Sequence, residues 1–282
     1  SLFLSLHPGQ WYTRSQLIDI LRETSSIIEG EHIAYHNTLT WSLLGLGELK
    51  TTKGISRSKS MFRITESGKQ LIDIYGTHPG LFYDLIHFLL YSAYLHSCSL
   101  RYSRFWLYQA FCDTLWEEAP KIIETQIITN RLQLEFRGRF PNYDASFNDR
   151  SVKGIFPWLR VLSPPFLSKK GGKSWAERRS SCTAQLFHLA TNFVYRAVEQ
   201  LEYGTSLAIN QPQIEAICKA CLLDPERFWH MASLTQMTIS GFEVRQGQWE
   251  KAIVLDHAPN WINLPDFSAE PEESDFEEGN EA

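Results

Sequence analysis

Two stretches decide the fold: NTLTWSLLGLGELK (Asn37–Lys50) and MFRITESGKQLI (Met61–Ile72). In the first, Leu39, Leu43 and Leu46 line one helical face, with Trp41 and Leu44 beside it. Asn37 stands where helices are capped, and the Gly45–Leu46–Gly47 region is where this one stops. In the second, Ser60–Ile64 is predicted as a strand, and Thr65 as the cap of a helix over Glu66–Tyr75 with Leu71 and Ile72 inward. Between them a strand over Leu49–Thr52 leads into a loop holding Gly54, Ser56 and Ser58. Upstream, Leu17, Ile18 and Leu21 predict a helix over Tyr12–Glu23, which Thr13 can cap. A second short helix, interrupted by Gly30, is predicted over Ile27–Ala34.

Helix, helix, polar-faced helix, basic hairpin, helix is an order that resembles the winged helix-turn-helix superfamily of DNA-binding modules. The resemblance spans residues 10–76, about a quarter of the chain. It implies that Asn37–Lys50 carries a recognition helix running into a wing. Met61–Ile72 would then be the return strand and closing helix. On the recognition helix, Asn37, Thr38, Thr40 and Ser42 can donate to phosphates or base edges. No Arg or Gln is there for bidentate base reading, so weak sequence specificity is expected. Between Glu48 and Glu66 stand Lys50, Lys53, Arg57, Lys59 and Arg63 with no acid among them, a pattern suited to phosphate contact. A winged helix can also serve as a protein-docking module, and that alternative stays open here.

Downstream, Leu81–Glu118 is aromatic and predicted as two or three packed helices. Ile128, Leu132, Leu134 and Phe136 predict a strand within Glu124–Phe136. Pro141–Asp149 reads as a loop, and Val152–Leu162 as a short helix stopped by Pro164–Pro165. A basic, glycine-containing loop follows at Lys169–Lys173, then one long helix over Trp175–Tyr203. Ile214–Leu222 is predicted helical, and Asp224 caps a helix over Pro225–Met237. Ile239–Leu255 reads as a hairpin around Gln246–Gly247. Two helices and a hairpin fit either a second, degraded winged helix or an ordinary α+β cap. The expected fold is therefore α+β and mainly helical. It comprises a winged helix (1–76), a helical aromatic-rich middle (77–205), a small C-terminal module (206–264) and a disordered acidic tail (265–282).

Composition narrows the classes of function. Hydrophobic residues make up 43 % of the 282, ample for a packed core. No apolar run reaches the ~20 residues that cross a bilayer, and Ser1–Leu6 lacks the pattern of a signal peptide. Five scattered cysteines (Cys98, Cys112, Cys182, Cys218, Cys221) are no disulfide framework, so a cytoplasmic setting is expected. The net charge of −5 hides an asymmetry: Asp266–Ala282 carries eight acids and no base. Without them the body holds 27 bases against 24 acids and is mildly basic.

A second basic run combines Lys169, Lys170, Lys173, Arg178 and Arg179 with Trp175, and could neutralise and stack on a nucleic-acid strand. Gly171–Ser174 (GGKS) is no nucleotide-triphosphate loop, because Leu167 stands where that loop needs glycine. Cys218 and Cys221 form a CxxC without the second ligand pair that zinc needs, so core packing is expected and no metal or cofactor. Glu124, Glu135, Asp144 and Asp149 show no Glu-x-Lys or Asp-x-Lys spacing of a nuclease. The layout, with the segment SVKGIFPWLRVLSPPFL (Ser151–Leu167), is loosely similar to accessory proteins of prokaryotic phage-defence systems, such as those encoded beside DNA phosphorothioation or BREX genes. That resemblance implies a non-catalytic, DNA-binding subunit of a multi-protein DNA-processing or antiphage-defence assembly. The expected partners are duplex DNA and other protein subunits, with self-association open and no membrane. Two alternatives are a transcriptional regulator with a helical sensing or dimerisation domain and a metal-dependent nuclease using Glu135 or Asp144.

Overall fold

The computed structural model describes residues 5–7, 9–24, 38–50, 60–97, 103–141, 147–199, 201–247 and 250–260. The N-terminal unit begins with β1 (Tyr12–Thr13) and α1 (Arg14–Thr24). Thr13 and Gln16 cap α1 reciprocally: Gln16 Oε1 accepts from the Thr13 amide at 2.8 Å, and Thr13 Oγ1 from the Gln16 amide at 3.4 Å. A helix over residues 38–43 (α2) leads into β2 (Gly47–Lys50) and β3 (Met61–Ile64), and α3 (Glu66–Thr77) closes the unit. The three strands are antiparallel in the order β1-β3-β2, with Tyr12 and Leu49 both opposite Phe62. Thr65 caps α3, its hydroxyl accepting from the Gly68 amide and donating to the Gly45 carbonyl. Gly68 has a steric reason: a Cβ there would lie 2.1 Å from the Leu46 carbonyl oxygen. Leu17, Ile18, Leu21, Phe62 and Ile64 form a small separate core under this sheet.

The middle of the chain is helical. α4 (Pro79–Ser97) is apolar nearly all round, as a helix enclosed by others must be. It packs on α5 (Ser103–Glu118) and on α9 (Ala184–Arg196). Between them in sequence lie β4 (Lys121–Ile122), α6 (Thr125–Arg139), α7 (Asp149–Lys153), α8 (Phe156–Arg160), β5 (Leu167–Lys170) and β6 (Lys173–Ala176). The sheet order here is β4-β6-β5, antiparallel.

Three expectations are corrected in this region. Glu124–Phe136 is not a strand but the helix α6: Ile128, Leu132 and Phe136 recur every four residues and are buried, whereas Leu134 is 70 % exposed. The basic stretch at Lys169–Lys173 is a tight β-hairpin and not an open loop, turning on Gly171 and Gly172 at φ 58° and 78°. Trp175–Tyr203 is not one helix. Its first residues pair as β6, Arg179 bridges to Leu223, and α9 begins only after its cap Thr183.

The C-terminal unit repeats the N-terminal design. β7 (Ser206–Ala208) precedes α10 (Gln211–Cys221), whose cap Asn210 is reciprocated by Gln213, as Thr13 is by Gln16. A turn of 3-10 helix capped by Asp224 runs into α11 (Phe228–Thr238). The hairpin β8 (Phe242–Gln246) and β9 (Lys251–Leu255) completes a sheet in the order β7-β9-β8, also antiparallel. Among the described residues, a first strand, two helices and a returning hairpin, with the last strand in the centre, thus occur twice, and the helix expected over Ile27–Ala34 lies outside the described residues. The whole is α+β and mainly helical, and no helix among the described residues is long and apolar enough to cross a membrane.

Candidate nucleic-acid interface

In the N-terminal unit the residues expected to meet DNA are placed unequally. Asn37, Lys53, Arg57 and Lys59 lie outside the described residues. Thr38 is corrected: it is buried beside Leu39 and offers no surface for a ligand. Thr40 and Ser42 are half-buried on α2. Lys50 is exposed at the end of β2. Arg63 sits opposite Glu48 in the β2–β3 register, is ion-paired to it, and lies 4.7 Å from the centre of the Trp11 ring. Its charge is partly spoken for, whereas Lys50 is exposed.

The second basic set divides more sharply. Lys169, Lys170 and Lys173 are exposed at the tip of the β5–β6 hairpin. Lys170 Nζ lies 4.4 Å from the centre of the Trp175 ring and 2.9 Å from Glu177 Oε2, which also accepts from the Trp175 indole N–H at 3.1 Å. The Lys170 and Trp175 hydrogen bonds hold the Glu177 carboxyl below its usual range. Arg178 is turned inward, donating to the Trp116 carbonyl at 2.9 Å and covering the Trp116 ring.

Arg179 is corrected outright. It is 1 % exposed and pairs with the fully buried Asp84 at 2.8 Å. It also donates to the carbonyls of Ser163, Pro164 and Cys221. The other Asp84 oxygen accepts from the amide and hydroxyl of Thr183. Nearby, His87 Nε2 donates to the Ala220 carbonyl at 3.0 Å, so Nδ1 accepts from the Tyr108 hydroxyl at 2.9 Å. Burial, and after it the charge of Arg179, drives the His87 pKa down to about 3. This cluster ties α4 to the C-terminal unit from inside. A basic run in sequence cannot distinguish such a residue from a surface one, because its partner Asp84 is distant in the chain.

Cys218 and Cys221 are buried on α10, and burial raises both thiols, as core packing requires. Among the described residues no group of three or more His, Cys, Asp or Glu could hold a metal ion. A polar cavity of about 450 Å³ opens between α5 and α6, lined among others by Asp113, Glu117, Arg131 and Glu135. Its charges answer one another: Arg131 binds Glu135 at 2.9 Å and Glu118 at 3.1 Å. Of the nuclease alternative, Glu135 is therefore engaged by Arg131, and Asp144 lies outside the described residues. The sequence reading passed over Arg150, Lys153 and Arg160, which extend the basic run. The signal was present: from Arg150 to Ala176 the chain has no acidic residue. No protein-family model, no curated protein and no solved structure matches this chain.

Proposed function

We propose that the protein binds duplex DNA, largely through phosphates, using residues 10–76 as a winged helix, and serves as a non-catalytic subunit of a larger DNA-processing assembly. The observation that carries this reading is the β1-β3-β2 strand order with α1 and α2 before a hairpin whose connection holds Lys53, Arg57 and Lys59 and no acid. A hairpin projecting cations beside a short helix suits contact with the backbone of a duplex. The buried Thr38 and half-buried Thr40 and Ser42 leave α2 little to read bases with, in line with weak sequence specificity. The C-terminal unit shares the strand order and is read as a second winged helix. Its α11 exposes Leu234 and Met237, the latter 83 %, a face better suited to a protein partner than to phosphate.

The test is salt-dependent fluorescence anisotropy with a labelled 20-base-pair duplex. The intact chain is compared with the Lys53→Ala/Arg57→Ala/Lys59→Ala variant and with a chain ending at Pro265. Three lost phosphate contacts should flatten the slope of log K against log salt by about 3. Removing the eight acids of the tail should tighten binding. If none of the three proteins binds near physiological salt, the N-terminal unit does not contact DNA and is a docking module.

A further inference from the structure

The register of the middle sheet defines a second surface, independent of the winged helix. Residues directly opposite on neighbouring strands share a face, and faces alternate along each strand. Leu167 and Ala176 are paired and buried, so their face is the inner one. Trp175 is therefore on the outer face, between Ile122 on β4 and Ser168 on β5. Lys173, two residues earlier, shares that face, as does its partner Lys170. Lys169, opposite Ser174 and two residues from Leu167, falls on the other face. The outer face thus presents one indole, the 42 % exposed Ile122 and the two lysines Lys170 and Lys173.

Its charges are the two lysines and one carboxylate, Glu177, which binds Lys170 and the Trp175 indole. Arg150, Lys153, Arg160, Lys169, Lys170 and Lys173 fall in the acid-free run Arg150–Ala176, which folds into α7, α8 and the hairpin. These elements pack consecutively, α7 on α8 and α8 on β5, and Arg160 reaches Ser174, which the register puts on the inner face, at 3.0 Å, so they back the sheet and do not line its Trp175 face. On that face Lys170 is paired with Glu177, and Lys173 is exposed at the hairpin tip.

We propose that this sheet face binds single-stranded nucleic acid, with one base stacked on Trp175 and its flanking phosphates on Lys170 and Lys173. A flat sheet carrying an aromatic ring among cations offers an unpaired base a π-face and its backbone counter-charge. A duplex keeps its bases stacked on each other and cannot use the ring. Lys170 now covers the indole, but an exposed ion pair such as Lys170–Glu177 contributes at most ~1 kcal/mol, so a base can displace it. Lys170 then swings to the phosphate. Glu177 is a positioning residue, holding the indole by its N–H.

The experiment uses the intact chain and fluorescein-labelled dT20 from 50 to 200 mM KCl. Two lysine–phosphate contacts on a single strand predict a slope of log K against log salt of about −1.4. The Lys170→Ala/Lys173→Ala variant should bring that slope close to zero. Trp175→Ala should weaken binding about 5- to 100-fold while keeping the slope, and Trp175→Phe, which retains a ring in the sheet, should recover most of it. The wing variant should bind dT20 as the parent does, so loss of duplex binding there leaves this surface standing, and the reverse. The proposal is overturned if dT20 is not bound at 50 mM KCl, if Trp175→Ala binds like the parent, if the wing variant loses dT20, or if a poly-glutamate of equal charge competes as well as unlabelled dT20.

Discussion

Replacing Arg179 with Met should unfold the protein far more readily while leaving the proposed nucleic-acid contacts alone. Arg179 and Asp84 lie 2.8 Å apart with side chains fully buried. At an effective dielectric constant near 20, their gross attraction is about 6 kcal/mol. Desolvating each ion costs several kcal/mol, so the intact pair contributes little net stability. Removing one partner is different, because the remaining charge stays buried without its counter-ion. That loss is about 3–5 kcal/mol. The carbonyls of Ser163, Pro164 and Cys221 lose their donor as well, which places Arg179→Met at the upper end of the range. In a chain of this size the melting temperature should fall by roughly 10 °C or more. The assay is urea unfolding followed by tryptophan fluorescence for Arg179→Met, Asp84→Leu and the double variant. The double variant should be less destabilised than the two single losses added together, by about 2 kcal/mol or more. A cost below about 1 kcal/mol for Arg179→Met, or strict additivity, would refute the reasoning. Arg179→Met should also leave the salt slopes for duplex and dT20 unchanged below its melting temperature, unlike the hairpin lysines.

Two further outcomes follow from the interior. His87 has a folded pKa of about 3 against 6.5 when unfolded, so the unfolded chain takes up a proton first as pH falls. Stability is therefore full above pH 6.5 and declines between 6.5 and about 3. At pH 4.5 the His87 share of the loss is roughly 3 kcal/mol, and His87→Gln should lose that much less on going from pH 7 to 4.5. A difference under 1 kcal/mol in urea titrations at the two pH values would mean that the ring is not held neutral. Gly68→Ala gains about 1 kcal/mol of helix propensity but places a methyl 2.1 Å from the Leu46 carbonyl oxygen. A net destabilisation of about 2 kcal/mol is expected, with weakened duplex binding and unchanged dT20 binding, and a stabilised variant would show that α3 does not pack as closely on the β2 entry as the structure has it.

Local chemistry in the sequence was enough for several elements. Thr13, Thr65 and Asp224 could be read as caps, because a cap depends on residues two or three positions away. The β2–β3 and β8–β9 hairpins were legible from alternation and their turns, and Cys218 and Cys221 from their apolar helix. β1 and β7 were not, since strands of two and three residues have no period to read and exist only by pairing with β3 and β9. With them went the strand order common to both units. α6 was mistaken because Leu134 completed an alternating pattern while facing solvent. The basic run from Lys169 to Arg179 was visible in the sequence, but its division was not. A lysine at a hairpin tip and an arginine under a helix carry the same charge in the sequence. Which of them meets solvent is decided by the register that turns Lys170 and Lys173 outward and by Asp84, far away in the chain, which makes burial of Arg179 tolerable.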